Sequence, residues 1–239
     1  MIDGGQEAKG NPGLQVNCIV SEAGSQIPAS RYESCKEAAM IIYIHQRNAD
    51  GTADPVLGAY YGRVAPYHAS VPGNQIRHVY VNEQTAIARV VAVITLASQV
   101  PRSIWQLMIN CHGNPGVIHL GSGLTTGNAK QFAGLRRFMT PGGEGILVGC
   151  CYAAAGDQVL LTQQGCIREQ SDAGNGLSLL MEIARYSGVK VVGALDEQIT
   201  WALNGPVVTV RPDSTYSLGV GRVAPSIREG SSGGSYVCH

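Results

Sequence analysis

The chain has 239 residues, a formal net charge of zero and 44% hydrophobic residues, which is enough apolar material for one large domain core. Charged residues make up only 14% of the chain. A nucleic-acid surface needs a basic face, so we expect no nucleic-acid partner. No apolar run approaches the ~18 residues of a membrane span. The N-terminus lacks the apolar stretch of a secretory signal, so we expect a cytoplasmic location and leave non-classical export open.

Cysteine usage predicts a reducing compartment rather than a disulfide framework. The seven cysteines are odd in number and irregular in spacing. No pair has the CxxC spacing of a structural zinc site. His45 and His119 also lack ligand spacing to another candidate residue. We therefore predict no metal site and no cofactor.

The first third of the chain gives weak structural signals. Residues 1–13 are polar and predict a flexible lead-in. The apolar run 39–45 predicts the first buried strand. Residues 48–55 are rich in turn formers, and 56–61 predict a partner strand for the first.

From residue 76 onward, strand and helix patterns alternate. The apolar periodicity predicts strands at 76–81, 104–111, 146–148, 189–194 and 207–210, and helices at 83–99, 128–138 and 176–187, with Asn82 as N-cap of the first helix. This alternation is typical of an α/β domain whose mainly parallel sheet is covered on both faces. Residues 157–175 predict an inserted loop. We expect a single domain over 14–222, followed by a mobile Gly/Ser-rich tail at 223–239.

Two predicted strands end in reactive side chains. The strand 104–111 runs directly into His112-Gly113, and the strand 146–148 runs into Gly149-Cys150-Cys151. In open α/β sheets, ligands and chemistry gather at the carboxyl ends of the strands. An imidazole beside a thiol can take its proton and stabilise the thiolate. Either side chain alone is better explained by a structural role in the core or a turn. Only the two together predict a Cys–His site.

The order of these motifs resembles that of the caspase-like cysteine peptidases (the caspase–haemoglobinase clan). Their pattern is an apolar strand followed by His-Gly, then a second apolar strand followed by a small residue and the catalytic Cys. The CHAT-type and related bacterial domains are the most similar, since His112-Gly113-Asn114-Pro115-Gly116 and the run from Cys151 to Gly156 match their turns. The resemblance covers about residues 76–195. It implies a three-layer sandwich with a central, mostly parallel sheet and helices on both faces.

The resemblance also implies an activity. The chain would be a cysteine endopeptidase, with Cys151 as nucleophile and His112 as general base or ion-pair partner. The N–H groups of Gly113 and Cys151 would form the oxyanion hole, and the reaction would pass through an acyl-enzyme. If Gly149 is taken as the small residue of the motif, the nucleophile is Cys150 instead. The spacing to Gly156 favours Cys151.

Specificity and partners follow from the same resemblance. A protein or peptide substrate is expected, and an activating or regulatory protein is left open. Asp196, Glu197 and Trp201, in the loop after the strand 189–194, are candidates for the substrate pocket, and the acidic pair suits a basic P1 residue. A solvated loop end is the preferred explanation of the acidic pair. Arg47 or Arg63 would instead favour an acidic P1 residue.

Two other functions remain open at this point. One is a catalytically inactive caspase-like module that binds or scaffolds proteins, because a fold does not guarantee its activity. The other is a different thiol chemistry such as acyl transfer. The presence of both His112 and Cys151 favours an enzyme.

Overall fold

The computed structural model describes residues 40–55, 57, 75–156, 158–162, 165–169, 175–196, 206–220 and 236–238. All of them belong to the unit Lys36–His239. The predicted lead-in at 1–13, together with Arg63, Glu197 and Trp201, lies outside these residues.

Twelve strands and two α-helices have both ends in the described part of the chain, and residues 55 and 57 are also helical. The strands are β1 Met40–Arg47, β2 Gln75–Asn82, β3 Ile104–Asn110, β4 Gly113–Asn114, β5 Val117–Ile118, β6 Gly145–Gly149, β7 Gln158–Thr162, β8 Gly165–Glu169, β9 Val191–Ala194, β10 Pro206–Val210, β11 Tyr216–Val220 and β12 Tyr236–Cys238. The helices are α1 Ile87–Ser98 and α2 Gly176–Ser187, and a 3₁₀ helix spans Ala129–Leu135. Neither α-helix is long and apolar enough to cross a membrane.

Eight strands form one sheet in the order β12-β11-β10-β9-β6-β3-β1-β2. The pairs from β2 through β1, β3 and β6 to β9 are parallel. Beyond β9 the pairs are antiparallel. The predicted α/β class with a mostly parallel sheet is therefore confirmed. The parallel half contains both motif-bearing strands, β3 and β6.

Side chains alternate between two apolar layers along the central strands. Ile42, Ile44, Leu107, Ile109 and Val148 face a layer built by α1, α2 and the 3₁₀ helix. Their neighbours form a smaller cluster on the opposite face, which includes Ile41, Tyr43, Met108, Leu147 and Val192. Strands buried on both faces are typical of parallel sheets. The helices α1 and α2 and the 3₁₀ helix all pack against the first face, so these three helices do not cover both faces as predicted.

The helix α2 has the predicted bounds because its end signals are local. The Asn175 side chain accepts a hydrogen bond from the Ser178 N–H, which is the usual N-cap contact. Gly188 ends the helix in the left-handed region, with φ +75°.

The first predicted helix starts later than expected. It was predicted over 83–99 with Asn82 as N-cap, but α1 begins at Ile87. The Asn82 Oδ1 atom instead accepts hydrogen bonds from the Gln84 N–H and the Thr85 hydroxyl, which fold residues 82–85 into a turn. The predicted helix 128–138 is a shorter 3₁₀ helix. Its interior Gly134, a weak helix former, packs closely on Val91 of α1.

The predicted partner strand at 56–61 is wrong where the structure describes it. Pro55 and Leu57 are helical. The Asp54 Oδ1 atom accepts a hydrogen bond from the Leu57 N–H at 3.2 Å. Asp54 is therefore an N-cap, and Pro55 takes the first helical position that proline favours.

Two segments predicted to be irregular contain strands. Residues 157–175, predicted as an inserted loop, include the antiparallel hairpin of β7 and β8. Residues 223–239, predicted as a mobile tail, include β12, which pairs with β11 at the end of the sheet.

Candidate active site

The carboxyl ends of three neighbouring parallel strands, β1, β3 and β6, are in register with one another. His45 of β1 pairs with Asn110 of β3, and Asn110 pairs with Gly149 of β6. Parallel strands lie about 4.8 Å apart. His112 and Cys151 each follow two residues beyond these paired positions, on adjacent strands. The register therefore brings the two predicted reactive side chains to the same edge of the sheet.

Gly113 brings the ends of β3 and β6 into close contact. A Cβ atom built on Gly113 would lie 2.6 Å from Cys150 Sγ and 2.8 Å from the Cys151 carbonyl oxygen. Only a residue without a side chain fits at this distance. The His112-Gly113 turn and the Cys150-Cys151 turn are thus in direct contact.

The cysteine turn is also fixed from the β9 side. The Tyr152 N–H donates to the Asp196 carbonyl at 3.1 Å, and the Ala154 N–H donates to the Ala194 carbonyl at 2.9 Å. Tyr152 adopts φ +55°, a left-handed conformation that a tight turn imposes on few non-glycine residues. Asp196 therefore lies beside the turn that carries Cys151, and its side chain is exposed.

The two adjacent cysteines have different environments. Cys150 is buried, with 2% of its surface exposed. A hydrogen bond with the Cys111 thiol, together with burial, raises the pKa of Cys150 well above its ordinary value. Cys151 is partly exposed. Because the thiolate is the nucleophile, Cys150 is disfavoured and Cys151 is the more accessible candidate.

His112 is accessible and has an acidic partner. Its side chain is 50% exposed, and its Nε2 atom lies 3.0 Å from Oδ2 of Asp54, whose side chain is 20% exposed. Sequence reasoning missed Asp54, which it placed in an ordinary turn. The Asp54-Pro55 pair, an N-cap residue followed by a favoured first helical residue, is the signal that could have indicated an ordered turn at this point.

A buried amide connects the Asp54 turn to the strand that carries His112. The Asn110 Nδ2 group donates to the Leu57 carbonyl at 3.2 Å and lies 3.4 Å from His45 Nδ1. The Leu57 side chain is itself buried. Asn110 Oδ1 is buried without a hydrogen-bond partner among the described residues. Asn110 therefore joins β1, β3 and the Asp54 turn directly below the site.

His45 is held as a neutral imidazole. Burial, then the neighbouring His78, then Arg47 lower its pKa from 6.5 to about 4. Its Nε2 atom lies 3.3 Å from His78 Nδ1, and its ring stacks on Tyr43. A neutral His45 can accept at Nδ1 from Asn110 and donate from Nε2 to His78.

A cavity of about 480 Å³ opens beside His112, on the β1 side of the imidazole. Its lining includes Arg47, Asp54, Glu83 and His119 as well as His112, and neither Cys150 nor Cys151 lines it. His119 is fixed next to His112 because its N–H donates to the His112 carbonyl at 2.9 Å. Among the described residues, no three His, Cys, Asp or Glu side chains come together as a metal-ligand set.

Of the predicted site residues, His112 and Gly113 follow β3, Cys151 follows β6 and Asp196 follows β9, and these three strands are neighbours in the sheet. Glu197 and Trp201 fall outside the described residues. No protein-family model matches this chain, and no curated protein matches it in sequence.

Protonation of His45 makes stability depend on pH. The unfolded chain binds this proton near pH 6.5 and the folded chain only near pH 4. Stability from this group is present above pH 6.5 and is lost as the pH falls toward 4. We expect a loss on the order of 2–3 kcal/mol from this group, measured by urea denaturation at pH 7 and pH 4.5.

The matched variant for this measurement is His45→Gln. Exposed carboxylates such as Asp50 and Asp213, whose pKa values are lowered by hydrogen bonds to Thr52 and Thr215, are common to both proteins. Their contributions to the pH dependence of stability cancel when the variant is compared with the wild type. Equal pH dependence in the two proteins would contradict the assignment.

The close approach of Gly113 predicts that Gly113→Ala is destabilising. The new methyl group would displace Cys150 or the Cys151 backbone, at a cost of about 1–3 kcal/mol. Gly127→Ala is the control, because its added Cβ would meet nothing nearer than Thr125 Oγ1 at 3.6 Å. Denaturant unfolding of both variants tests this, and equal stability of the two would contradict it.

The environments of the cysteines predict an order of alkylation. In the native protein at neutral pH, iodoacetamide is expected to modify Cys151 before Cys150 or Cys111, because those two are buried. Peptide mass mapping over a time course measures the order, and labelling in urea shows that all three can react. Modification of Cys150 as fast as Cys151 in the native protein would contradict the expectation.

Proposed function

We propose that this protein is a cysteine endopeptidase of the caspase-like type, with Cys151 as nucleophile and His112 as its proton acceptor. The observation that carries the proposal is the packing of Gly113 against Cys150 and the Cys151 backbone. It joins the His-Gly and Gly-Cys-Cys turns at neighbouring strand ends, where α/β enzymes gather their chemistry. The burial of Cys150 and the partial exposure of Cys151 support Cys151 as the reacting thiol.

The proposed reaction has two halves. The Cys151 thiol gives its proton to His112, and the thiolate attacks the carbonyl carbon of the scissile peptide bond. The C–N bond then breaks as the imidazolium returns the proton to the leaving amine, which leaves a thioester. Water, deprotonated by His112, hydrolyses the thioester and regenerates the thiol.

The N–H groups of Gly113 and Cys151 are the proposed donors for the negative oxygen of the tetrahedral intermediate. The contact between their two turns supports this role, since both donors belong to backbone that packing holds in place. Such a preorganised donor typically contributes about 3 kcal/mol to transition-state stabilisation. A rigid contact at Gly113 would therefore serve both stability and catalysis.

The full caspase-like sandwich is part of the same proposal. The second apolar cluster, with Tyr43, Met108 and Leu147, is buried on the sheet face opposite α1 and α2. An apolar sheet face needs a covering layer, which supports helices on both faces. We propose a single domain of three layers on this basis.

We propose a protein or peptide as substrate. The cavity beside His112 has room for one side chain, and its lining carries Arg47 together with Asp54 and Glu83, which does not select one sign of charge. Asp196 lies on the other side, next to the cysteine turn, where it could meet a basic P1 residue. An activating protein and a cytoplasmic location belong to the proposal as well.

Cleavage-site mapping tests the proposal. The protein is incubated, with reductant and calcium, with a proteome-derived peptide library, and new peptide ends are sequenced by mass spectrometry. We expect cleavage that falls by about 10³-fold or more in Cys151→Ala and in His112→Ala, because each removes one half of the dyad. The same data give the P1 preference.

Cys150→Ala is the matched control, since it removes the adjacent thiol and leaves Cys151. Cleavage that survives Cys150→Ala supports Cys151. Loss of cleavage in Cys150→Ala alone, with a folded protein by circular dichroism, would move the nucleophile to Cys150. An absence of cleavage by the wild-type protein would favour the inactive protein-binding module instead. Transfer of the acyl group to an added amine without hydrolysis would indicate acyl-transfer chemistry.

A further inference from the structure

We propose that Asp54 is a positioning residue for His112, which it holds in the orientation and tautomer that leave Nδ1 able to accept the Cys151 proton. This inference rests on the proposed function, and it adds a third residue to a site in which the resemblance required only two. Asp54 acts through the imidazole in this scheme and does not touch the scissile bond.

The two carboxylate oxygens of Asp54 have separate partners. Oδ1 accepts from the Leu57 N–H at 3.2 Å, the N-cap contact of its own turn. Oδ2 lies 3.0 Å from His112 Nε2. The cap fixes the rotation of the carboxylate, so that the second oxygen is aimed at the imidazole.

The contact determines which ring nitrogen carries the proton. An ionised carboxylate can only accept hydrogen bonds, so Nε2 must be the donor. A neutral imidazole has a single N–H, and Nδ1 is then left as the acceptor. The half-exposed His112 ring has few other constraints on its orientation, which makes one hydrogen bond decisive for where Nδ1 points.

Asn110 supplies the common support for both members of this pair. It lies two residues before His112 on the chain, and its amide holds the Leu57 carbonyl, in the same turn as Asp54. Leu57 is buried and Asn110 is almost fully buried. The strand end that presents His112 therefore also holds the turn that presents Asp54.

The proton balance is complete without any further group. When the Cys151 proton reaches Nδ1, the ring carries two protons and one positive charge. The Nε2–H bond to Asp54 persists, and the carboxylate stabilises the imidazolium. The proton on Nδ1 then passes to the leaving amine, which restores the neutral tautomer.

The critical variant is Asp54→Asn. Because the oxygen that accepts from Leu57 keeps its place, the new amide nitrogen faces His112 Nε2 and donates to it. The ring is then forced to carry its proton on Nδ1, where it cannot accept from Cys151. We expect kcat/KM to fall by about 10²–10⁴-fold, as for other His-orienting aspartates. The ¹⁵N spectrum of labelled histidine should change from the Nε2–H to the Nδ1–H signature at His112.

Asp54→Ser separates positioning from a structural role. Serine is a good N-cap, so it keeps the turn, but it has no group to impose the wrong tautomer. We expect Asp54→Ser to be more active than Asp54→Asn. A purely structural role predicts the reverse order, because asparagine is nearly the same shape as aspartate. Asp50→Asn, at an exposed aspartate of the same loop, is the control and is expected to match the wild type.

The outcomes distinguish this inference from the proposed function. The tautomer measurement needs no turnover, and the chain has only six histidines, so His112→Gln assigns the His112 signals. A tautomer that is the same in wild type and Asp54→Asn would overturn the inference, whether or not the protein cleaves peptides. Active wild type with full activity in Asp54→Asn would overturn it too. A tautomer change in a protein without peptidase activity would support the positioning role while the proposed function fails.

Discussion

The parallel register of β1, β3 and β6 brings His45, Asn110 and Gly149 to one level, and the candidate site is built on the residues that follow them. On one side of β3, the β6 turn presents its cysteines against Gly113. On the other side, the Asp54 turn is held by the Asn110 amide and contacts His112. A slip of one residue in this register would turn the side chains of a strand to the opposite face. The site would then be lost together with the core.

Local signals explain which parts of the fold could be predicted from sequence. The bounds of α2 follow from Asn175 and Gly188, two residues that act on their own helix. The central strands follow from short apolar runs between turns. The start of α1 could not be predicted in the same way, because Asn82 can either cap a helix or organise a turn. In the structure its side chain accepts hydrogen bonds from Gln84 and Thr85, which form a turn before the helix.

The candidate site likewise contains residues that could be predicted from local sequence and residues that could not. His112 and the two cysteines could be found because each follows a strand, and strand ends are where chemistry is expected. Asp54 could not, because it is 58 residues from His112 and meets it only in the folded chain. The choice between Cys150 and Cys151 also needs the fold, since it depends on the contact of Cys150 with Cys111 across neighbouring strands. The candidate reacting groups can therefore be predicted from sequence, whereas the groups that contact them are known only from the folded chain.

The packing at Gly113 has a consequence for how relatives of this protein would diverge. A side chain at position 113 would meet both Cys150 Sγ and the Cys151 carbonyl oxygen. A smaller residue at position 150 would relieve the first contact, whereas the second involves backbone that no substitution removes. A smaller residue before Cys151 would therefore make room for only part of a side chain at position 113, because the Cys151 carbonyl oxygen would stay in its path. We expect sequence change at position 113 to be far more restricted than at position 150.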